Sequence, residues 1–380
     1  MHDVLKYESL PAWTYTSQHF FELEAEELFR KNWQLVCHTS DIPNAGDYFT
    51  FDFVGEHVFV IRDDKGSISG YHNVCRHRAA RLLDGPSGNT KGRITCPYHA
   101  WGYGLDGCLK AVPYKDQFVG LDETRLGLVP VEVELFLGFI FIRIKGDGPS
   151  VADQFVPALE DLAPYRFEEL QPLGRVTMRP RQVNWKQVAD NYVDALHIPV
   201  AHPGLTSLMG NSYGLEVVGG LHKMWGDVRT IRGQGPSVRM YREILPDMDH
   251  LPDSKKHHWL YYRMWPALAF DIYPEQVDFM QFIPISATET MIREIPYGLP
   301  DDRREVKAAR YLNWRINREV NREDTELIIR VQEGMQSSAF TSGPLAKTET
   351  CLLDSARQMR DALPVASSRL EPAGPYEKDG

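Results

Sequence analysis

The apolar positions of this chain change period several times, and each change marks an element. In FFELEAEELFRKNW, residues Phe20 to Trp33, they recur at helical spacing and predict an N-terminal helix. Val58-Phe59-Val60-Ile61-Arg62 and Ile68-Ser69-Gly70-Tyr71-His72 predict two short strands, separated by the turn-forming Asp63-Asp64-Lys65-Gly66. Arg93-Ile94-Thr95 predicts another. Ala100 to Tyr103 and Leu105 to Leu109 predict a hairpin turning near Asp106-Gly107. A turn cluster follows at Lys145 to Ser150, and beyond it come strands and long helices. There, Trp185, Val188, Tyr192 and Leu196 form one apolar stripe, while Asp190, Asp194 and His197 share another face. Further on, Ile316, Val320, Leu327, Val331 and Met335 keep helical spacing, and Asp324 falls on their stripe. These patterns divide the chain into a helical segment (1–36), a β-rich region (37–148), a mixed region (149–365) and a polar tail (366–380) expected to fray.

Composition narrows the class. The chain has 380 residues of soluble globular composition, enough for about two domains. Its net charge of −10 argues against nucleic acid as a partner. No apolar run is long enough to span a bilayer, and MHDVLKYESL holds no apolar signal core, so no membrane association is expected. The five cysteines form no regular framework, which makes a reducing cytoplasm the expected location. Cys37, Cys108 and Cys351 read as buried small residues.

The other two cysteines carry chemistry. Cys75-Arg-His77 and Cys96-Pro-Tyr-His99 each pair a thiol with an imidazole at short spacing. Four such ligands suit tetrahedral zinc. They equally suit a [2Fe–2S] cluster with two thiolates on one iron and two imidazoles on the other. Both pairs fall on loops at the tips of predicted hairpins. In NVCRHRAARL and CPYHAWGYGLDG the chain resembles the Rieske domain of aromatic-ring-hydroxylating oxygenases, with a gap between His77 and Cys96 at the long end for that family. The resemblance favours iron–sulfur, with zinc as the alternative.

A second constellation lies downstream. His197 and His202 are five residues apart, roughly 140° around an ideal helix. They could share one metal only where the helix distorts or ends, and Pro199 between them is the expected break. Asp324 offers a third ligand, because a carboxylate facing a core needs a cation, a donor or a metal. Two histidines and one carboxylate make the facial triad of non-haem Fe(II) oxygenases. The bland readings are a solvated acidic face around Asp190 and Asp194, and a buried Asp324 paired with an arginine.

D-N-x-x-D-x-x-H-x4-H, from Asp190, resembles the mononuclear-iron motif of Rieske oxygenase α subunits. E-D-x-x-L-I-x-x-V-Q-x-G, from Glu323, resembles the segment carrying their carboxylate ligand. The resemblance implies an α+β fold: an N-terminal Rieske [2Fe–2S] β domain before a helix-grip catalytic domain, an antiparallel sheet wrapped around a long helix. It implies a cluster on Cys75, His77, Cys96 and His99, and mononuclear Fe(II) on His197, His202 and Asp324. Asn191 becomes a candidate neighbour of the iron ligands. Electrons would come from NAD(P)H through a flavin/iron–sulfur reductase or a ferredoxin, and dioxygen would be the co-substrate. Family members are trimers, in which Asp194 would bridge His99 of one subunit to His197 of another. Many members begin the motif with Glu-Asn, so the role of Asp190 stays open.

Substrate is less legible. Trp225, Trp259, Tyr261, Tyr262, Trp265, Phe270, Tyr273, Phe279 and Phe282 follow the histidine motif. They could wall a pocket for a planar aromatic ring or cage a quaternary ammonium group. VQEGMQSSAFTSGPL resembles the branch that oxidises betaines and carnitine, whereas Asp-Asn resembles branches acting on aromatic acids and O-methyl ethers. Aromatic substrates are expected slightly ahead of ammonium compounds, by hydroxylation, dihydroxylation or oxidative demethylation. A ferredoxin-like electron carrier and a non-catalytic helix-grip binding protein are the alternatives from other classes.

Overall fold

The computed structural model describes residues 7–210, 212–229, 235–374 and 376. It divides into two compact units. One comprises Phe29–Asp153 and Phe167–Gln171, the other Met1–Leu28, Gln154–Arg166 and Pro172–Gly380. The divisions at 28/29 and 153/154 differ from the expected 36/37 and 148/149. The strand Gln34–His38 already belongs to the β-rich unit, because all five of its residues are buried there.

In the β-rich unit a seven-stranded antiparallel sheet runs in the order 34–38, 139–143, 130–136, 68–72, 56–62, 47–53, 87–89. Val58 to Ile61 are buried without alternation, so both faces of that strand are covered. Three short strands, Ile94–Thr95, Gly102–Tyr103 and Leu109–Ala111, form a second sheet. A shared core of Phe59, Ile61, Tyr71, Ile94, Trp101 and Tyr103 encloses Cys75 and Cys96.

In the other unit the strands 214–218, 221–227, 258–264, 268–272, 277–286 and 289–298 form an antiparallel meander in chain order, with Thr177–Arg181 along its last strand. The helix Arg304–Met335 has 32 residues, or about 48 Å at 1.5 Å per residue. It buries Ala309, Leu312 and Ile316 against Trp259 and Tyr273 of the sheet. Val331, expected on its apolar stripe, is 45% exposed, so the stripe reaches the surface near the helix end.

The N-terminal helix is shorter than expected. Ser17 caps it by accepting from the Phe20 N–H, and Gln18–Glu24 is α-helical. A single wide turn, Ala25–Phe29, ends it before Trp33. The helix joins the second unit through a buried pair, Lys186 Nζ to Glu24 Oε1 at 2.5 Å, with Trp185 Nε1 donating to Glu24 Oε2 at 3.1 Å. The tail expected to fray is held as far as Tyr376. Trp13 Nε1 donates to the Ser368 carbonyl at 2.8 Å, and the Tyr376 ring meets His19 with centroids 4.5 Å apart. Trp13, ahead of the N-terminal helix, and His19 and Phe20 within it supply this anchor. Residues 375 and 377–380 lie outside the described residues.

Candidate metal centres and substrate cavity

Cys75 and Cys96 open two loops of the same design. The Cys75 N–H donates to the Ala80 carbonyl at 2.8 Å, and Ala79 N–H donates back to the Cys75 carbonyl at 3.0 Å. The second loop repeats this, with Cys96 N–H on the Trp101 carbonyl at 2.8 Å and Ala100 N–H on Cys96 at 3.1 Å. Ala79 and Ala100 occupy the left-handed region at φ 57° and 56°, a conformation that costs a non-glycine residue about 1–2 kcal/mol. Both thiols are 2% exposed, and the His77 and His99 ring centroids lie 4.7 Å apart. Nδ1 of each ring is buried without a hydrogen-bond partner. Buried ring nitrogens are rarely left so, and ligation of a metal cluster would satisfy both. The Tyr103 hydroxyl, 3.3 Å from Cys75 Sγ, also accepts from the Arg76 N–H at 3.0 Å and steadies the first loop.

The second centre is built where a helix stops. Asn184 caps the helix Trp185–Val193, and Asp194 ends it in an extended conformation. Pro199 is therefore not the break. The chain leaves the helix before His197, and Pro199 sits in the first turn of a new short helix, Ile198–Ala201, where its missing N–H costs nothing. Asp190, Asp194 and His197 do not share a face. Asp190 accepts from the Tyr15 hydroxyl at 2.7 Å, so it ties down the N-terminal segment. Leu196, placed on the apolar stripe by its spacing, is 54% exposed because the helix ends before it.

The turn and the long helix bring three ligand atoms together. His197 Nε2 and His202 Nε2 are 3.1 Å apart. Asp324 Oδ1 lies 3.0 Å from His202 Nε2 and 3.4 Å from His197 Nε2. An ion about 2.1 Å from each of three ligands needs them roughly 3.0–3.4 Å apart, so the set fits a metal. The outer nitrogens are also fixed. His197 Nδ1 faces Asp194 Oδ2 at 3.0 Å, and His202 Nδ1 faces Glu323 Oε2 at 2.7 Å. Asn191 Nδ2 donates to Asp324 Oδ1 at 2.7 Å. Helical spacing does not single out Glu323, because it lies off the stripe that carries Asp324.

The electrostatics point the same way. Burial pushes Asp324 up, but His197 and His202 outweigh it and hold the carboxyl down at about 2. Burial pushes His197 down, but Asp194 and Asp324 outweigh it and raise it to about 9. The carboxylates thus hold a positive charge at this point, which a metal ion can supply in place of protons.

A cavity of about 640 Å³ opens onto this centre. Of the nine aromatic residues considered from the sequence, Tyr261, Tyr273 and Phe279 line it. Trp259, Tyr262, Phe270 and Phe282 are buried in the core instead. Tyr192 and Tyr213 join the wall, as do the acids Asp271 and Asp278. Its spacing places Tyr192 on an apolar stripe, but its hydroxyl donates to Asp271.

The family model of the Rieske [2Fe-2S] domain matches residues 32–131, and that of the ring-hydroxylating alpha subunit catalytic domain matches residues 167–364. The chain is similar to the carnitine monooxygenase oxygenase subunit of Escherichia coli strain K12, 30% identical over 87% of this chain and 85% of that one. The glycine betaine monooxygenase oxygenase subunit of Pseudomonas aeruginosa PAO1 is 29% identical over 90% and 85%. A solved quaternary ammonium Rieske monooxygenase, described for carnitine oxidation and inter-subunit electron transfer, superposes with a TM-score of 0.78 at 26% identity, covering 96% of each chain. The Rieske match sets aside zinc, and the catalytic-domain match sets aside a bare electron carrier and a non-catalytic binding protein. The two domains imply a [2Fe–2S] cluster and a mononuclear iron, with electrons delivered by a reductase. The chain therefore belongs to the α subunits of the Rieske oxygenases, the terminal components that incorporate oxygen from O2 into a substrate.

Proposed function

We propose that this chain is the oxygenase subunit of a monooxygenase acting on a quaternary ammonium compound. In this reading Cys75, His77, Cys96 and His99 hold the cluster, and His197, His202 and Asp324 hold the iron. The observation that carries the substrate is the wall of the cavity, where Tyr192, Tyr213, Tyr261 and Tyr273 line the same space as His197, His202 and Asp324. A tyrosine face attracts a cation by about 0.5–2 kcal/mol, and an ammonium carrying only methyl groups suits such a cage. The relatives named for carnitine and glycine betaine support the same reading. Both replace the slight preference for aromatic substrates drawn from Asp190-Asn191.

Bound iron supplies the activation of dioxygen, and the cluster supplies the electrons. The chain's own side chains prepare the site. Asp194 and Glu323 hold the Nδ1 protons of His197 and His202, which leaves both Nε2 lone pairs for the metal. Asn191 holds Asp324 by donating to the oxygen that faces the histidines. Ile198, Leu205 and Phe279 give the cavity apolar walls that limit water. Asp194 has a further role in a trimer, accepting from His99 of a neighbouring subunit and carrying electrons toward His197.

Oxygen uptake in the presence of a reductase tests the substrate. Betaines should stimulate uptake, and aromatic acids and aromatic methyl ethers should not. The reverse pattern would overturn the reading.

A further inference from the structure

Asp271 and Asp278 are direct cross-strand partners, and Tyr261 stands opposite Asp271 on its other side. One row across the sheet therefore reads Tyr261, Asp271, Asp278, and all three line the cavity. Like charges opposed in a sheet repel, and burial makes each charge more costly. The donors present do not offset this. Tyr192 and Tyr273 donate to Asp271, and Gln276 Nε2 donates to the two oxygens of Asp278 at 2.9 and 3.1 Å. No cation is among the groups that act on either carboxylate.

Four other buried or half-buried acids of this unit sit in ion pairs, while Asp190 and Glu275, hydrogen-bonded to Tyr15 and Tyr241, are drawn down by Arg263 and Lys186 and by Arg310. Glu24 has Lys186, Asp161 has Lys223 and Lys255, Asp354 has His222 and Arg357, and Glu294 has Arg179. The cavity pair alone among these lacks a positive partner. Burial pushes Asp271 up to about 6, and burial and the charge of Asp271 raise Asp278 as well. The aromatic rings complete the surroundings. Tyr192 meets Tyr261 edge-on at 6.4 Å, and Tyr261 meets Tyr273 at 6.1 Å and 89°.

We propose that Asp271 and Asp278 form the counter-ion site for the substrate's ammonium group, so that the cavity selects full positive charge and not merely trimethyl bulk. The inference rests on the ammonium reading above. A quaternary nitrogen has no N–H to donate, so it leaves the Tyr192 and Gln276 hydrogen bonds intact and interacts with the carboxylates through charge.

Calorimetry on the holoenzyme, with tetramethylammonium chloride as the cation and tert-butanol as its uncharged counterpart, separates the possibilities. The parent protein should bind tetramethylammonium in clear preference to tert-butanol. Asp271→Asn and Asp278→Asn should each weaken tetramethylammonium at least tenfold, with tert-butanol, iron content and cluster absorbance unchanged. Asp278→Glu should restore most of the affinity. A measurement on the parent alone guards against variants that fail to fold. At pH 6, in two buffers of different ionisation enthalpy, tetramethylammonium should release protons, because a cation favours the ionised carboxylates. Unchanged affinity in the Asn variants, or no proton release, overturns the counter-ion site and leaves the tyrosine cage standing. Equal binding of the two probes by the parent overturns the ammonium reading itself.

Discussion

Replacing Glu323 by alanine should loosen the mononuclear iron without touching a ligand. His202 is 1% exposed, and its Nδ1 rests on the Glu323 carboxylate at 2.7 Å. That contact decides which nitrogen carries the proton. With Nδ1–H donating to Oε2, the lone pair of Nε2 faces His197 and Asp324 at 3.1 and 3.0 Å. In the alanine variant the neutral ring divides between two tautomers and loses its rotational stop. Loss of such a partner costs about 10–100-fold in metal affinity. That is about 1.4–2.8 kcal/mol at 1.4 kcal/mol per tenfold. Glu323→Gln keeps an acceptor oxygen in place and should lose less than tenfold. Anaerobic titration of Fe(II) against a competing chelator measures this, with the cluster's visible absorbance as an internal reference. Iron held by Glu323→Ala as tightly as by the parent protein would refute the reasoning, and so would equal losses in the Ala and Gln variants.

Four further outcomes are expected. Asp324→Ala should lose the mononuclear iron and keep the cluster spectrum, as metal analysis will show. Asp194→Asn should retain both centres and nearly abolish coupled turnover, since the proposed electron path runs through that carboxylate, which also contacts His197. Lys186→Met should cost about 3–5 kcal/mol by leaving Glu24 buried without its cation, whereas joint replacement of both by apolar residues should cost much less in a urea titration. Asp161→Asn should flatten the acid limb of stability. Burial pushes that carboxyl up, but Lys223, Lys255 and Tyr262 outweigh it and hold it below its ordinary value. Its contribution is therefore full above about pH 3.9 and lost as pH falls below that value.

Much of the metal chemistry is legible in the chain because it is local. Cys75 and His77, Cys96 and His99, and His197 and His202 each sit within one loop or turn, so spacing alone groups them. What escapes is set by partners distant in sequence. Glu323 escapes a helical wheel, which tests one buried face. His197 and His202 instead approach the long helix from a separate turn and engage two adjacent residues, Glu323 and Asp324. Tyr192 read as apolar packing because nothing nearby hints at Asp271, 79 residues away. The cavity wall depends on sheet register, which also hides that Asp271 and Asp278 are neighbours. The helix end escapes the sequence for a simpler reason. Pro199 is the conspicuous breaker, yet Asp194 ends the helix by binding the Leu196 N–H at 2.7 Å.

The union of residues 7–28 with a unit that resumes at residue 154 imposes an order on synthesis. The β-rich unit is contiguous apart from its short return at 167–171, and it can close soon after its last strand emerges from the ribosome. Trp13, Tyr15 and Glu24 cannot, because they await Ser368, Asp190 and Lys186. At roughly 5–20 residues per second, the wait from Trp13 to Ser368 lasts about 20–70 s. Until about residue 190 has been made, the nascent chain carries an aromatic, acidic segment without these partners ahead of a finished domain. Translation speed and chaperone capture of that segment therefore become determinants of yield, although neither touches the completed fold.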